Sequence, residues 1–222
     1  MCGRYSLADT EKLTNRFHID DYEGEDISPN YNVAPTQVMP VVTEDDEGRH
    51  IEFMRWGIPR FIREDTVKEL INTRAEKAFG RFWSKQVLSQ RVLIPATSFY
   101  EWQIGSKPKK PFLIHPKTEE VFAFAGIRST WKDKDGKEWK VYSIMTTTPN
   151  KEMKGIHNRM PVILHRKDEE AWLSPSNNGD KDFIESLLRP YDNNGLEMWE
   201  VSRDVNVARN NNGELIKPIN SQ

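Results

Sequence analysis

The sequence predicts an α+β fold, a single domain of 222 residues built on a central antiparallel, barrel-like β-sheet flanked by a few short helices. Three observations predict it. Short runs rich in Val, Ile, Phe, Tyr and Trp recur along most of the chain, and turn-forming Gly, Asn, Asp and Pro separate nearly all of them. Helical periodicity is confined to a few brief stretches. Neither an internal repeat nor a linker divides the chain.

Taken in order, Ser6-Leu7-Ala8-Asp9 reads as a capping box opening a short amphipathic helix, with Leu7, Leu13 and Phe17 at helical spacing. An acidic loop follows at 20–26, and Tyr31-Asn32-Val33-Ala34-Pro35-Thr36 carries turn chemistry. Residues 38–43 and 51–56 read as the two strands of a hairpin around a turn at 45–48. Residues 72–82 look helical in part. Strand candidates come next at 91–94, 98–103, 112–115, 121–125, 139–147 and 162–164, with hairpin-type loops at 105–110 and 132–137. Late helices are expected at 168–173 and 180–188, and the tail from 192 is loop-rich with one strand near Met198.

Composition narrows the function classes. Seven Trp and ten Phe supply a core despite 30% charged residues, so disorder is not the expectation. No run approaches the roughly 18 apolar residues of a membrane helix, and the N-terminus lacks a basic-then-apolar signal pattern. A cytoplasmic protein, nucleoid-associated when bound to DNA, is therefore expected. The net charge of −2 lacks the basic excess of a non-specific nucleic-acid binder. Cations nonetheless crowd between Arg55 and Arg91, through Arg60, Arg63, Arg74, Lys77, Arg81 and Lys85. They leave room for a local basic groove, although such charges also serve simply to solvate a surface. One cysteine excludes an intrachain disulfide and thiolate zinc clusters, and the five histidines show no metal-ligand spacing. Neither metal nor cofactor is expected.

That cysteine is Cys2. Removal of Met1 would leave it N-terminal and expose a 1,2-aminothiol. An α-amine titrates near 7.7–8.0, about two and a half units below lysine, so an unprotonated fraction exists near neutral pH. Such an amine condenses with an aldehyde to an imine. The adjacent thiol can then close on the imine carbon to a five-membered thiazolidine, which resists hydrolysis better than the open imine. Gly3 allows close backbone approach, and the Arg4 guanidinium suits a phosphate or carboxylate. A chance cysteine at position 2 is the plain alternative.

Seven blocks add a resemblance. They are Met1-Cys2-Gly3-Arg4-Tyr5, Tyr31-Asn32-Val33-Ala34-Pro35, Arg55-Trp56-Gly57-Ile58, Ile71-Asn72-Thr73-Arg74-Ala75-Glu76, Arg91-Val92-Leu93-Ile94-Pro95, Phe99-Tyr100-Glu101-Trp102 and His157-Asn158-Arg159-Met160-Pro161. In this order the chain resembles the SOS-response-associated peptidase (SRAP) family, whose members cap abasic sites in single-stranded DNA. The resemblance runs through most of the chain and implies a single α+β domain with a barrel-like β arrangement. It implies Cys2 as nucleophile, Asn72 as the amide that positions it, Glu101 as the neighbouring acid/base and His157 as the active-site histidine. Arg4, Arg74 and Arg159 would pair with backbone phosphates, and Trp56 and Phe61 would stack on or wedge beside unstacked bases. Arg60-Phe61-Ile62 departs from the pattern, since many relatives carry tryptophan there.

The expected function is thus an abasic-site sensor and shield that crosslinks itself to single-stranded DNA as a monomer, with thiol-peptidase activity confined at most to releasing Met1. Two readings stand beside it. An N-terminal-nucleophile amidohydrolase also fits Met-Cys-Gly, because class II glutamine amidotransferases begin the same way. A non-catalytic single-strand binding module would leave Cys2 incidental.

Overall fold

The computed structural model describes residues 2–19, 22–24, 26–63 and 66–219, the side chains of 61–63 and 66 excepted. The chain opens with β1 (Tyr5–Leu7), a 3-10 turn at Thr10–Lys12 and α1 (Leu13–Phe17), whose buried Leu13 and Phe17 share one face. β2 (Asn30–Val33) leads into the hairpin β3 (Val38–Asp45) and β4 (Gly48–Trp56). A second hairpin, β5 (Ile58–Arg63) and β6 (Thr66–Leu70), precedes the short β7 (Asn72–Arg74) and α2 (Ser84–Ser89). Then come β8 (Arg91–Ala96), β9 (Ser98–Trp102), β10 (Pro111–Pro116) and the long hairpin β11 (Phe122–Lys132) and β12 (Glu138–Thr147). β13 (Met160–Pro161), β14 (Ile163–Leu164), α3 (Arg166–Leu173), α4 (Lys181–Leu187) and β15 (Leu196–Glu200) follow.

Five strands close a barrel: β12 pairs with β4, β4 with β3, β3 with β8, β8 with β11, and β11 again with β12. Closure removes the unpaired edges that an open sheet would present. β8 is buried at every position and β12 over its last seven residues, as strands covered on both faces must be. α3 covers β8 through Trp172, whose indole N–H donates to the Val92 carbonyl at 3.0 Å. The expected barrel-like architecture with few short helices is what the chain adopts. One departure concerns strand direction: β4 and β7 both run parallel to β12, at Arg55 to Val141 and Asn72 to Ile144. No tight turn links these pairs, so nothing forces the antiparallel sense that a hairpin imposes.

The second sheet has the order β15-β10-β9-β1-β2 and is antiparallel throughout. It positions the chemistry. β1 pairs with β9 in the register Tyr5 to Phe99 and Ser6 to Ser98, and the Tyr100 N–H donates to the Arg4 carbonyl at 3.0 Å. Continued toward the N-terminus, that register carries residue 3 opposite Glu101.

Three local expectations are corrected. Ser6 and Leu7 lie in β1 rather than opening a helix, because the Ser6 hydroxyl bonds to Ser98 at 2.6 Å and Thr97 at 2.8 Å instead of capping. Residues 31–33 belong to β2, and the turn begins only afterwards, with Thr36 at φ 76°. Residues 72–74 form β7 and only Ala75–Lys77 makes a 3-10 turn, since docking on β12 overrides local helical preference. Neither the β5–β6 hairpin nor α2 was foreseen. Among the described residues no helix is long and apolar enough to cross a membrane.

Candidate active site

The site is built around Cys2, fully buried where the N-terminal segment runs beside β9. Its Sγ lies 3.8 Å from the Arg4 carbonyl. Burial, reinforced by the negative charge of Glu101, pushes the thiol far above its ordinary pKa and holds it as neutral S–H. Asn72 grips the same residue from β7, its Nδ2 donating to the Cys2 carbonyl at 2.8 Å. The amide's own oxygen is buried and accepts no hydrogen bond, which leaves an acceptor for a donor brought by a ligand. β7 is held in place by β12: Ile144 N–H donates to the Ile71 carbonyl at 3.1 Å.

Glu101 is 2% exposed, between Tyr100 and Trp102 on β9. Burial raises its pKa, with the Lys109 ammonium among the charges pulling the other way. His157 is half-buried after the 3-10 turn Met153–Gly155, and its Nδ1 accepts from the Arg159 N–H at 3.0 Å. The Arg159 carbonyl lies 3.2 Å from the same nitrogen, so the Arg159 backbone fixes the ring's orientation through Nδ1 in either tautomer. Burial lowers the His157 pKa, and the charges of Lys109 and Arg159 add to the effect. The His157 segment is tied to the end of β9, where Ile104 N–H donates to the Ile156 carbonyl at 3.0 Å and Gln103 Nε2 to the Gly155 carbonyl at 3.3 Å. On its other side β13 pairs with β12 at Thr146, the residue that also faces Arg74 of β7.

Beside Asn72 opens a cleft of about 370 Å³ lined by Arg60, Lys68, Arg74, Lys77 and Trp83, with Glu69 the one acidic residue among the described residues of its wall. Glu69 is already neutralised by a two-pronged pair with Arg55 at 2.8 and 2.9 Å. The cleft therefore presents net positive charge next to the cysteine clamp, suited to an anionic chain. Among the described residues no group of three or more His, Cys, Asp or Glu is placed to hold a metal ion.

A family model for SOS response associated peptidases (SRAP) matches residues 1–208. The chain belongs to the SRAP family. Abasic site processing protein YoqW of Bacillus subtilis is 40% identical over 224 residues, which cover 98% of this chain and 99% of the relative. Abasic site processing protein YoaM of the same organism is 39% identical over 227 residues, covering 99% of each. A crystal structure of a protein from Bacteroides thetaiotaomicron superposes with a TM-score of 0.84 at 26% identity, covering 98% of this chain and all of the other.

In this SRAP protein Asn72 and Glu101 are brought to Cys2 and His157 feels the same Lys109 charge as Glu101, whereas the residues named for DNA do not all reach the surface. Trp56 is fully buried: its indole N–H donates to the Ile71 carbonyl at 3.0 Å, and its ring stacks on Tyr142 at 6.3 Å and meets Tyr5 edge-on at 5.2 Å. It shores up the residue before Asn72 and offers no face to a base. Trp56→Phe should accordingly cost about 2 kcal/mol, from one lost hydrogen bond and the cavity beside the smaller ring. Urea unfolding checks this, and an unchanged midpoint with weakened DNA binding would restore the stacking role. Arg4 is corrected likewise. One of its terminal nitrogens donates to both the Asn32 Oδ1 and the Val205 carbonyl at 2.7 Å, which anchors β1 internally.

Arg159 pairs with Glu76 and donates to the Thr146 carbonyl at 2.6 Å, so its guanidinium is engaged within the protein. Arg74 is exposed and no described carboxylate pairs with it. The side chain of Phe61 lies outside the described residues, as does Met1. Sequence reasoning missed Lys68 and Trp83 of the cleft, which sit in no motif that draws attention to them. It also missed the 2.8 Å hydrogen bond between the Tyr5 and Tyr142 hydroxyls, buried phenols within electrostatic reach of Cys2.

Proposed function

We propose that this SRAP protein processes abasic sites in single-stranded DNA by capturing the ring-opened sugar aldehyde on Cys2. One observation carries the reading: a buried cysteine of the N-terminal segment lies beside a buried carboxyl, and the Asn72 that clamps it lines a cationic cleft. The names of the YoqW and YoaM relatives point the same way. Once Met1 is removed, the Cys2 amine attacks the aldehyde carbon. Loss of water gives an imine, and the Sγ–H then adds across its C=N bond, carbon taking the sulfur and nitrogen the proton. No oxidant is needed, and the product is a thiazolidine joining protein to DNA. Glu101, kept protonated to higher pH by burial, donates a proton to the sugar ring oxygen during opening. Asn72 fixes the backbone of Cys2, and the Nε2 side of neutral His157 exchanges protons as the imine forms and closes.

The neutral state of the thiol fits an order in which the amine attacks first, and it sets this site apart from thiol proteases that hold a thiolate at rest. A thiol protease attacks as thiolate and lowers its cysteine pKa, whereas here burial raises it. In the aminothiol route the amine strikes first and the thiol only closes a ring already assembled.

The direct test mixes the protein with single-stranded DNA carrying one abasic site, followed by a denaturing gel and the intact mass of any adduct. A shifted band whose protein component lacks Met1 supports the reading; no adduct from protein verified to begin at Cys2 removes it. Arg74→Glu should weaken non-covalent binding to any single strand about equally and reduce the slope of log affinity against log salt by about 0.7 or more. A sequence-dependent loss, or an unchanged slope, would exclude a phosphate contact at Arg74.

A further inference from the structure

A second, smaller cleft of about 220 Å³ lies between α2 and the β11–β12 hairpin. Lys85 and Gln86 of α2, Arg128 of β11 and Lys140 of β12 line it, and none of its lining residues is acidic. Two of its polar atoms are buried without a partner, the Arg128 Nε donor and the Gln86 Oε1 acceptor. A buried unpaired donor on a guanidinium costs free energy unless a ligand satisfies it. The remaining Arg128 and Lys140 charge is shared onto a single carboxylate, Glu52, with Arg128 Nη1 donating at 3.0 Å and Lys140 bonding its other oxygen. Two basic side chains on one carboxylate, with Lys85 beside them, leave a net positive site.

Its position relates it to the first cleft. α2 begins directly after Trp83, which lines the first cleft, and carries Lys85 into the second. β12 connects them as well: Ile144 lies against Asn72, and Lys140 is four residues back along the same strand, about 13 Å at the rise of a β-strand. Such a distance spans about four phosphates at the stacked spacing of 3.4 Å per strand, and fewer if the strand is extended. A strand bridging the two clefts would follow a cationic track beside β12 in a protein whose net charge is −2.

We propose that the cleft between α2 and the β11–β12 hairpin is a second phosphodiester subsite, which holds the backbone of the DNA strand a few nucleotides to one side of the captured sugar. The inference rests on the abasic-site reading. Its ligand is a backbone phosphate, with the Arg128 Nε–H and the Lys85 and Lys140 ammonium groups as donors and no readout of base identity. Grip on the flank would hold the lesion at Cys2 while the slower covalent steps proceed.

The test uses the full chain with Lys85→Gln and Lys140→Gln combined, both exposed positions whose loss leaves the core intact. Binding is measured to single strands bearing a tetrahydrofuran abasic analogue, which has no aldehyde and cannot crosslink, with flanks of two or eight nucleotides on each side. Crosslinking to a natural abasic site in the short strand is followed in parallel. Wild type should prefer the long strand about three- to tenfold, and the double variant should lose that preference and about 0.7–1.4 from its salt slope. Its crosslinking rate on the short strand should match wild type. A variant that keeps the length preference and salt slope overturns the subsite alone. A wild-type protein that crosslinks neither strand overturns the abasic-site reading and this inference with it.

Discussion

Cys2→Ala and Cys2→Ser should each convert the covalent DNA adduct from a stable product to one seen only after reduction. Both variants keep an N-terminal α-amine once Met1 is removed, so each can still condense with the aldehyde. Neither has the thiol that closes the ring. The imine left behind hydrolyses on denaturation unless borohydride first reduces it to a secondary amine. In the gel assay without reductant, the loss should exceed about a hundredfold. With borohydride present during the reaction, both variants should recover a band with the mass of the amine adduct, and non-covalent affinity for single-stranded DNA should stay within about twofold of wild type. The outcome separates three readings. A pure binding module shows no adduct in any variant, wild type included. A thiol-first enzyme leaves nothing for borohydride to trap in Cys2→Ser. Equal adduct from wild type and Cys2→Ala without reductant would show that the Cys2 thiol is not what makes the adduct stable.

Glu101→Gln should slow crosslinking by about 10²–10⁴-fold, the usual contribution of a positioned general acid. The amide keeps the shape and the burial but cannot give up a proton to the sugar ring oxygen. The pH dependence carries a sign that follows from burial. A buried carboxyl whose pKa is raised remains protonated above the ordinary carboxylate range, so the wild-type acid step is fastest below that raised pKa and fades as pH climbs through it. The variant should lack this fall on the alkaline side, leaving only the rise as the Cys2 amine deprotonates. Single-turnover rates across pH measure it, and a variant with the wild-type rate and profile would end the acid role. Stability should move the opposite way. In the wild type, stability is full below the unfolded carboxyl pKa and declines as pH rises through the raised folded one, because ionising a 2% exposed carboxyl in place is costly. Glu101→Gln removes that decline, so the variant should melt higher than wild type at neutral pH while reacting more slowly. That combination marks a group kept for chemistry at the expense of stability.

Sequence alone determined what depends on neighbours along the chain. The β3–β4 hairpin was legible because its turn and the apolar pattern on either side lie within one short stretch, and the late helices α3 and α4 because a few residues of period and capping suffice. Cys2 could be named from its local aminothiol chemistry, whereas Asn72, Glu101 and His157 could be named only because their compact blocks resemble the SRAP pattern. Tertiary structure decided everything that depends on partners far away. Ser6 reads as a cap until Ser98 and Thr97 take its hydroxyl, 92 and 91 residues on. Arg4 reads as a phosphate ligand until Asn32 and Val205, 28 and 201 residues away, occupy its guanidinium, and Arg159 until Glu76 claims it from 83 residues upstream. Trp56 reads as a platform for bases until barrel closure seals it between Tyr5 and Tyr142. The cationic side chains of the two clefts were visible in sequence only as a crowd of basic residues before Arg91, since Arg128 and Lys140 join them through β11 and β12. A charge or an aromatic ring has its intrinsic chemistry from its residue type, but whether it faces water, a carboxylate or the core is set by burial and pairing across the folded chain, and no local pattern encodes that.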